Sequence, residues 1–92
     1  MKLTIMIAVL VLAASSLLGQ EPFESKYPNG KTRELGTLFN GKRQGEWKFY
    51  YASGKINGIM SYKDDLPHGR WVLYHENGKL EAEEYWREGV QD

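Results

Sequence analysis

Gly45-Glu46-Trp47-Lys48-Phe49-Tyr50-Tyr51-Ala52-Ser53-Gly54-Lys55 returns 24 residues later as Gly69-Arg70-Trp71-Val72-Leu73-Tyr74-His75-Glu76-Asn77-Gly78-Lys79. The second half of the phrase also occurs upstream, as Tyr27-Pro28-Asn29-Gly30-Lys31. A period of roughly 20 to 50 residues marks a repeat whose single unit cannot bury its own apolar face and must stack on its neighbours. Two sets of positions obey the offset. One is the Gly-Lys pairs at Gly30, Gly54 and Gly78; the other is Gly45 with Trp47 and Gly69 with Trp71. Two anchors per unit imply two strands per unit.

The residues between the anchors alternate with period two. Trp47, Phe49 and Tyr51 fall on one side of their strand, and Glu46, Lys48 and Tyr50 on the other. Trp71, Leu73 and His75 repeat the first side one unit on, with Tyr74 equivalent to Tyr50. The partner strands Lys55 to Tyr62 and Lys79 to Trp86 place Ile56, Gly58, Met60 and Tyr62, or Leu80, Ala82, Glu84 and Trp86, on a shared face. Asn-Gly and Ser-Gly suit tight hairpin tips, because Gly and Asn supply positive φ cheaply. The segments Asn40 to Gln44 and Lys63 to His68 read as polar loops longer than two residues. Asn57-Gly58 falls mid-strand, where a glycine marks a bulge or a close backbone approach. The expected fold is all-β: an open antiparallel meander of repeated β-hairpins over residues 27–92, in units 27–50, 51–74 and an incomplete 75–92. Trp86 aligns with Leu38 and Tyr62, not with Trp47 and Trp71, so the third unit lacks the Gly-x-Trp strand. The last strand should leave one side of its ladder unpaired, a template for another strand.

Ahead of the repeats, Met1-Lys2 precedes an apolar run from Leu3 to Ala14 and then Ser15-Ser16-Leu17-Leu18-Gly19-Gln20. This is the pattern of a secretory signal peptide helix over residues 1–19, cleaved near Ser16 or Gly19. The run is short for a membrane span, which wants about 20 apolar residues. Residues 20–26, with Pro22 and alternating charge, read as a linker. The expected location is secreted or periplasmic. The chain has no cysteine, which excludes disulfides, thiolate chemistry and a lipid-anchored N-terminus.

Gly-Lys hairpins followed by Gly45-Glu46-Trp47-Lys48-Phe49-Tyr50 and Gly69-Arg70-Trp71-Val72-Leu73-Tyr74 resemble the MORN repeat, in the variant form common in bacteria. The resemblance implies an elongated, twisted hairpin ribbon that serves in protein-protein interaction or scaffolding. Many bacterial members carry an antitoxin label, which implies an alternative role as an antitoxin-like or immunity-type inhibitor. Binding to acidic lipid at a membrane surface has been proposed for MORN proteins and is a more distant alternative.

Catalysis has little support in the residues. His68 and His75 align with Gln44 and with Tyr51, so repeat equivalence makes them structural. Asp64-Asp65 replaces Asn40-Gly41 in a turn and has no calcium-loop spacing. No phosphate-binding glycine loop leads into a helix. No enzyme, cofactor or metal site is expected.

Charge separates the two halves. From Lys26 to Lys63 eight basic residues face two acidic ones, net +6, while from His75 onward two face six, net −4. Such blocks steer association. The acidic end opposes nucleic acid as a partner. A thin sheet buries little, so the chain should bind another protein or itself, as a homodimer by face stacking or edge-strand pairing. Tyr50 and Tyr74 on one face, and Trp86 near the edge, are the candidate partner-binding residues.

Overall fold

The structure is a computed structural model that describes residues 19–92. Residues 1–18, which hold nearly all of the expected signal peptide and its helix, lie outside the described residues. Every regular element described is a strand: β1 (Gln20–Lys26), β2 (Thr32–Phe39), β3 (Lys42–Tyr50), β4 (Ile56–Lys63), β5 (Leu66–Tyr74), β6 (Leu80–Arg87) and β7 (Val90–Gln91). They form one open antiparallel sheet in strictly sequential order, a slab of 45 × 31 × 18 Å.

Residues 20–26 are a strand and not the expected linker. Phe23 stands one period before Trp47 and packs on it at 5.6 Å between ring centroids. Pro22 is compatible with this because β1 is an edge strand, with partners on one side only. Among the described residues the sheet therefore holds three hairpins, β1/β2, β3/β4 and β5/β6, while the unit 75–92 consists of β6 and the two-residue β7 where the earlier units have a Gly-x-Trp strand. Beyond them β7 pairs with β6 at Trp86 and Arg87, so the outer ladder of β6 is open only along the rest of the strand.

The two kinds of turn are the reverse of the expectation. Asn40-Gly41, Asp64-Asp65 and Glu88-Gly89 are the two-residue turns, and all six residues have positive φ, as a primed turn requires. The Gly-Lys tips are three-residue loops. Tyr27 accepts a hydrogen bond from the Gly30 N–H at 2.9 Å and donates to the Lys31 carbonyl at 2.8 Å; Tyr51 and His75 repeat both bonds. This is a type I turn closed by a left-handed residue, with Gly30, Gly54 and Gly78 at φ of 87°, 96° and 89°. Asn-Gly chemistry fits either turn, and the pairing register decides between them.

A bulge follows each tip. Phe49 pairs with Gly58 but Tyr50 with Ile56, and Leu73 pairs with Ala82 but Tyr74 with Leu80. The skipped residue moves Ile56 and Leu80 off the face of Gly58 and Ala82 onto that of Tyr50 and Tyr74, against the simple alternation. Gly58 also meets a close approach, since a Cβ there would lie 2.9 Å from Leu73 Cδ2.

The decisive irregularity lies between hairpins. Leu35 pairs with Lys48 and Thr37 with Gln44, so Gly36 alone spans Gly45, Glu46 and Trp47. The same happens where Met60 pairs with Trp71 and Tyr62 with Pro67. Each incoming strand carries two extra residues, and its glycine takes the left-handed conformation, φ 77° at Gly45 and 98° at Gly69. The interrupted ladder leaves a carbonyl without its strand partner. The indole N–H of Trp47 donates to the Thr37 carbonyl at 3.0 Å, and that of Trp71 to the Ser61 carbonyl at 2.8 Å. Thus the glycine permits the bulge, and the tryptophan satisfies what the bulge exposes. Among the described residues no hairpin precedes β1, and Glu21 and Phe23 stand at the positions of the bulge glycine and its tryptophan. In the third such position the Tyr85 carbonyl is taken by the Asp92 N–H at 2.7 Å.

The bulge gives a direct test. Gly45→Ala and Gly69→Ala should each destabilise the fold by about 1–2 kcal/mol, the cost of a Cβ in the left-handed region. Glu21→Ala, at the equivalent position without a bulge, should stay within about 0.5 kcal/mol of wild type in urea denaturation.

Candidate interaction surface

One face of the sheet carries a continuous row of aromatic rings from β1 to β6. Phe23 meets Trp47 at 5.6 Å, Trp47 meets Tyr62 at 6.5 Å, Tyr62 meets Trp71 at 5.4 Å and Trp71 meets Trp86 at 5.3 Å. Tilted and edge contacts at these separations are the favourable arrangements of aromatic pairs. The row exists because cross-strand partners share a face: Gly45 pairs with Tyr62, Trp47 with Met60, Met60 with Trp71 and Gly69 with Trp86. Gly36 lets Trp47 lie flat on β2, since a Cβ there would fall 2.2 Å from the indole.

Trp47 is 1% exposed although the sheet has a single layer, and Arg43 accounts for much of this. The guanidinium carbon lies 4.8 Å from the Trp47 ring centroid, 5.4 Å from Tyr62 and 5.7 Å from Phe49. Its Nη2 donates to Glu34 Oε1 at 2.8 Å, and the Glu34 side chain is only 14% exposed and also accepts from the Ser25 hydroxyl. A cation over three aromatic faces with a half-shielded carboxylate beside it is a filled cation-π site. The position of Arg43 alone, in what reads as a polar loop, gave no signal of this role. Phe23 did have one, the 24-residue offset to Trp47.

The opposite face carries Leu35, Lys48, Ile59, Val72 and Glu83 in one cross-strand line, in which Val72, between Ile59 and Glu83, is 3% exposed. Tyr50 and Tyr74 lie on this face, half-buried beside Ile56 and Leu80. Trp86 lies on the aromatic face, so the three candidate partner-binding residues do not form one patch. The backbone carbonyls of Tyr50 and Tyr74 are held by the hydroxyls of Tyr27 and Tyr51 at 2.6 and 2.7 Å, ties that lock each hairpin tip to the next.

The histidines have structural partners. His68 Nδ1 accepts the Glu88 N–H at 3.1 Å, as Gln44 Oε1 accepts that of Asp64 at 3.0 Å one unit earlier. His75 Nδ1 lies 3.4 Å from Glu81. Glu83 is paired with Arg70 on the face away from Glu84, and Asp65 accepts the Arg43 N–H. Among the described residues no three His, Asp or Glu side chains converge as a metal site. A shallow depression of about 280 Å³ is lined by Gln20, Phe39, Gln44 and Asp64, two amides, an aromatic ring and one carboxylate.

Residues 43–64 and 67–88 each match the family model for the MORN repeat variant. These spans are the hairpins β3/β4 and β5/β6 with their turns. No curated protein and no solved structure shows a match.

Tyr62 provides a titration within the aromatic row. Burial raises its pKa above 10.0, with the Arg43 guanidinium opposing the rise. The fold thus favours the neutral phenol, a contribution fully present below the unfolded-state pKa and lost as pH climbs through the folded one. Stability measured by urea denaturation should therefore fall as the pH rises beyond 10.0, and Tyr62→Phe should flatten that fall.

Proposed function

Because the chain is a MORN-variant repeat protein, we propose that it is an exported interaction module which holds another protein on the faces of its sheet. Proteins built of these repeats serve as interaction modules rather than enzymes. A single observation supports the reading most strongly. Among the described residues only two large hydrophobic side chains, Trp47 and Val72, are buried, while a five-ring aromatic row crosses one face and Tyr50 and Tyr74 stand on the other. A surface of this kind marks a protein-protein contact more than a small-molecule site, which would need a cleft.

Export rests on the sequence of the first 20 residues, with Lys2 ahead of the Leu3–Ala14 run. Gly19 bears on where the leader is cut. Its carbonyl accepts the Asn40 N–H at 2.9 Å, and the carbonyls of Arg43 and Pro67, at successive periods, accept from Asp65 and Gly89. Gly19 is therefore a member of the repeat, and cleavage after Ser16 keeps it in the mature chain where cleavage after Gly19 removes it. N-terminal sequencing of the exported protein should begin at Leu17.

Affinity capture of the mature chain from envelope extract, with mass-spectrometric identification, tests the module. A single protein partner should be enriched over bare resin, and Tyr50→Ser with Tyr74→Ser should lose it while melting as a folded protein. Capture undiminished by the double variant removes those tyrosines from the contact. Failure to enrich any protein, together with a monomer by light scattering across micromolar concentrations, overturns the module itself.

A further inference from the structure

The filled site around Arg43 has an unfilled counterpart one period on. Trp71 replaces Trp47, Leu73 replaces Phe49 and Trp86 replaces Tyr62, but Pro67 stands where Arg43 would be. The rings of Trp71 and Trp86 remain together, 5.3 Å apart at 38°, and both are half-buried where Trp47 is 1% exposed. A carboxylate is present as well, on a different residue. Glu84 pairs across the ladder with Trp71, and its Oε1 accepts the Trp86 indole N–H at 3.1 Å. Among the described residues Glu84 enters no ion pair, and every cation-π contact belongs to Arg43. The neighbouring basic side chains are engaged elsewhere: Arg70 with Glu83, Arg87 with Asp92, and Lys63 with Glu88.

We propose that Trp71, Trp86 and Glu84 form a docking site for an arginine side chain of a partner protein. The inference rests on the interaction-module reading and names the chemistry of the partner. The occupant is argued from the chain itself, in which an arginine already fills the equivalent aromatic site with a carboxylate beside it. Charge points the same way, because the site lies in the half of the sheet whose net charge from His75 onward is −4. A guanidinium suits the place: planar, it stacks on an indole while its edge donates to the carboxylate.

The test titrates the mature chain, labelled with nitrogen-15, with the peptide Gly-Arg-Gly-Arg-Gly-Arg-Gly and with the same peptide bearing citrulline, which keeps the shape and loses the charge. The arginine peptide should shift the indole N–H signals of Trp71 and Trp86 and leave that of Trp47 in place. Citrulline should bind at least about fivefold more weakly, as should the arginine peptide to Glu84→Gln, which retains an acceptor for the Trp86 indole. Equal binding of the two peptides, or unchanged affinity in Glu84→Gln, overturns the proposal. So do equal shifts from phosphatidylcholine vesicles, which would make the site a reader of lipid headgroups. A Trp86 signal that moves on simple dilution assigns the site to a second copy of the chain and likewise overturns it. If a protein partner is captured through Tyr50 and Tyr74 while the arginine peptide fails, only this inference falls.

Discussion

The structure depends on how one hairpin is joined to the next. Within a hairpin the ladder is regular along most of its length, but between hairpins the incoming strand is two residues longer than the stretch it faces, and a backbone carbonyl is left over. A carbonyl left unsatisfied there would cost about 1–3 kcal/mol. The indole N–H of Trp47 or Trp71 removes that cost, and to do so the ring must lie flat across the preceding strand. This orientation puts the rings in a row and fixes the spacing at which Tyr62 and Trp86 can join them. Glycine at the bulge and tryptophan two residues later are thus two halves of one device, and β1, which pairs on one side only among the described residues, carries neither.

The aromatic row follows from the backbone, and its chemistry follows from what sits above it. Over Trp47 the chain supplies its own cation, Arg43, neutralised by Glu34. One period on, the position of Arg43 holds Pro67. Two hairpins with the same backbone therefore present different surfaces, one closed and one half-open, although a single residue type separates them at that position. The repeat sets where side chains are placed; the departures from it set what each unit can bind.

Much of this was legible in the sequence and some was not, for identifiable reasons. The period, the pairing of strands and the face of Trp47, Phe49, Trp71 and Leu73 follow from spacing and alternation alone. Strand β1 does not stand out because the residues that mark the other strands of its kind serve the join between hairpins, and Glu21, Pro22 and Phe23 in their place look like a charged linker. Asn-Gly satisfies two turn geometries, so composition alone does not distinguish the two-residue turns from the three-residue tips. The skipped residues that carry Ile56 and Leu80 to the other face break the period-two rule without leaving a mark in composition. Arg43 leaves no mark in the repeat for a different reason: the equivalent positions hold Gly19 and Pro67.

Because strand order follows chain order throughout, each hairpin touches chiefly the ones before and after it. Its energetics are then those of a one-dimensional array, with a term for each hairpin and a term for each join. Lengthening such a chain by one period inserts a hairpin and one more join without redrawing any existing contact. The available recognition surface can grow in steps, and each new step is free to carry its own residue over the tryptophan.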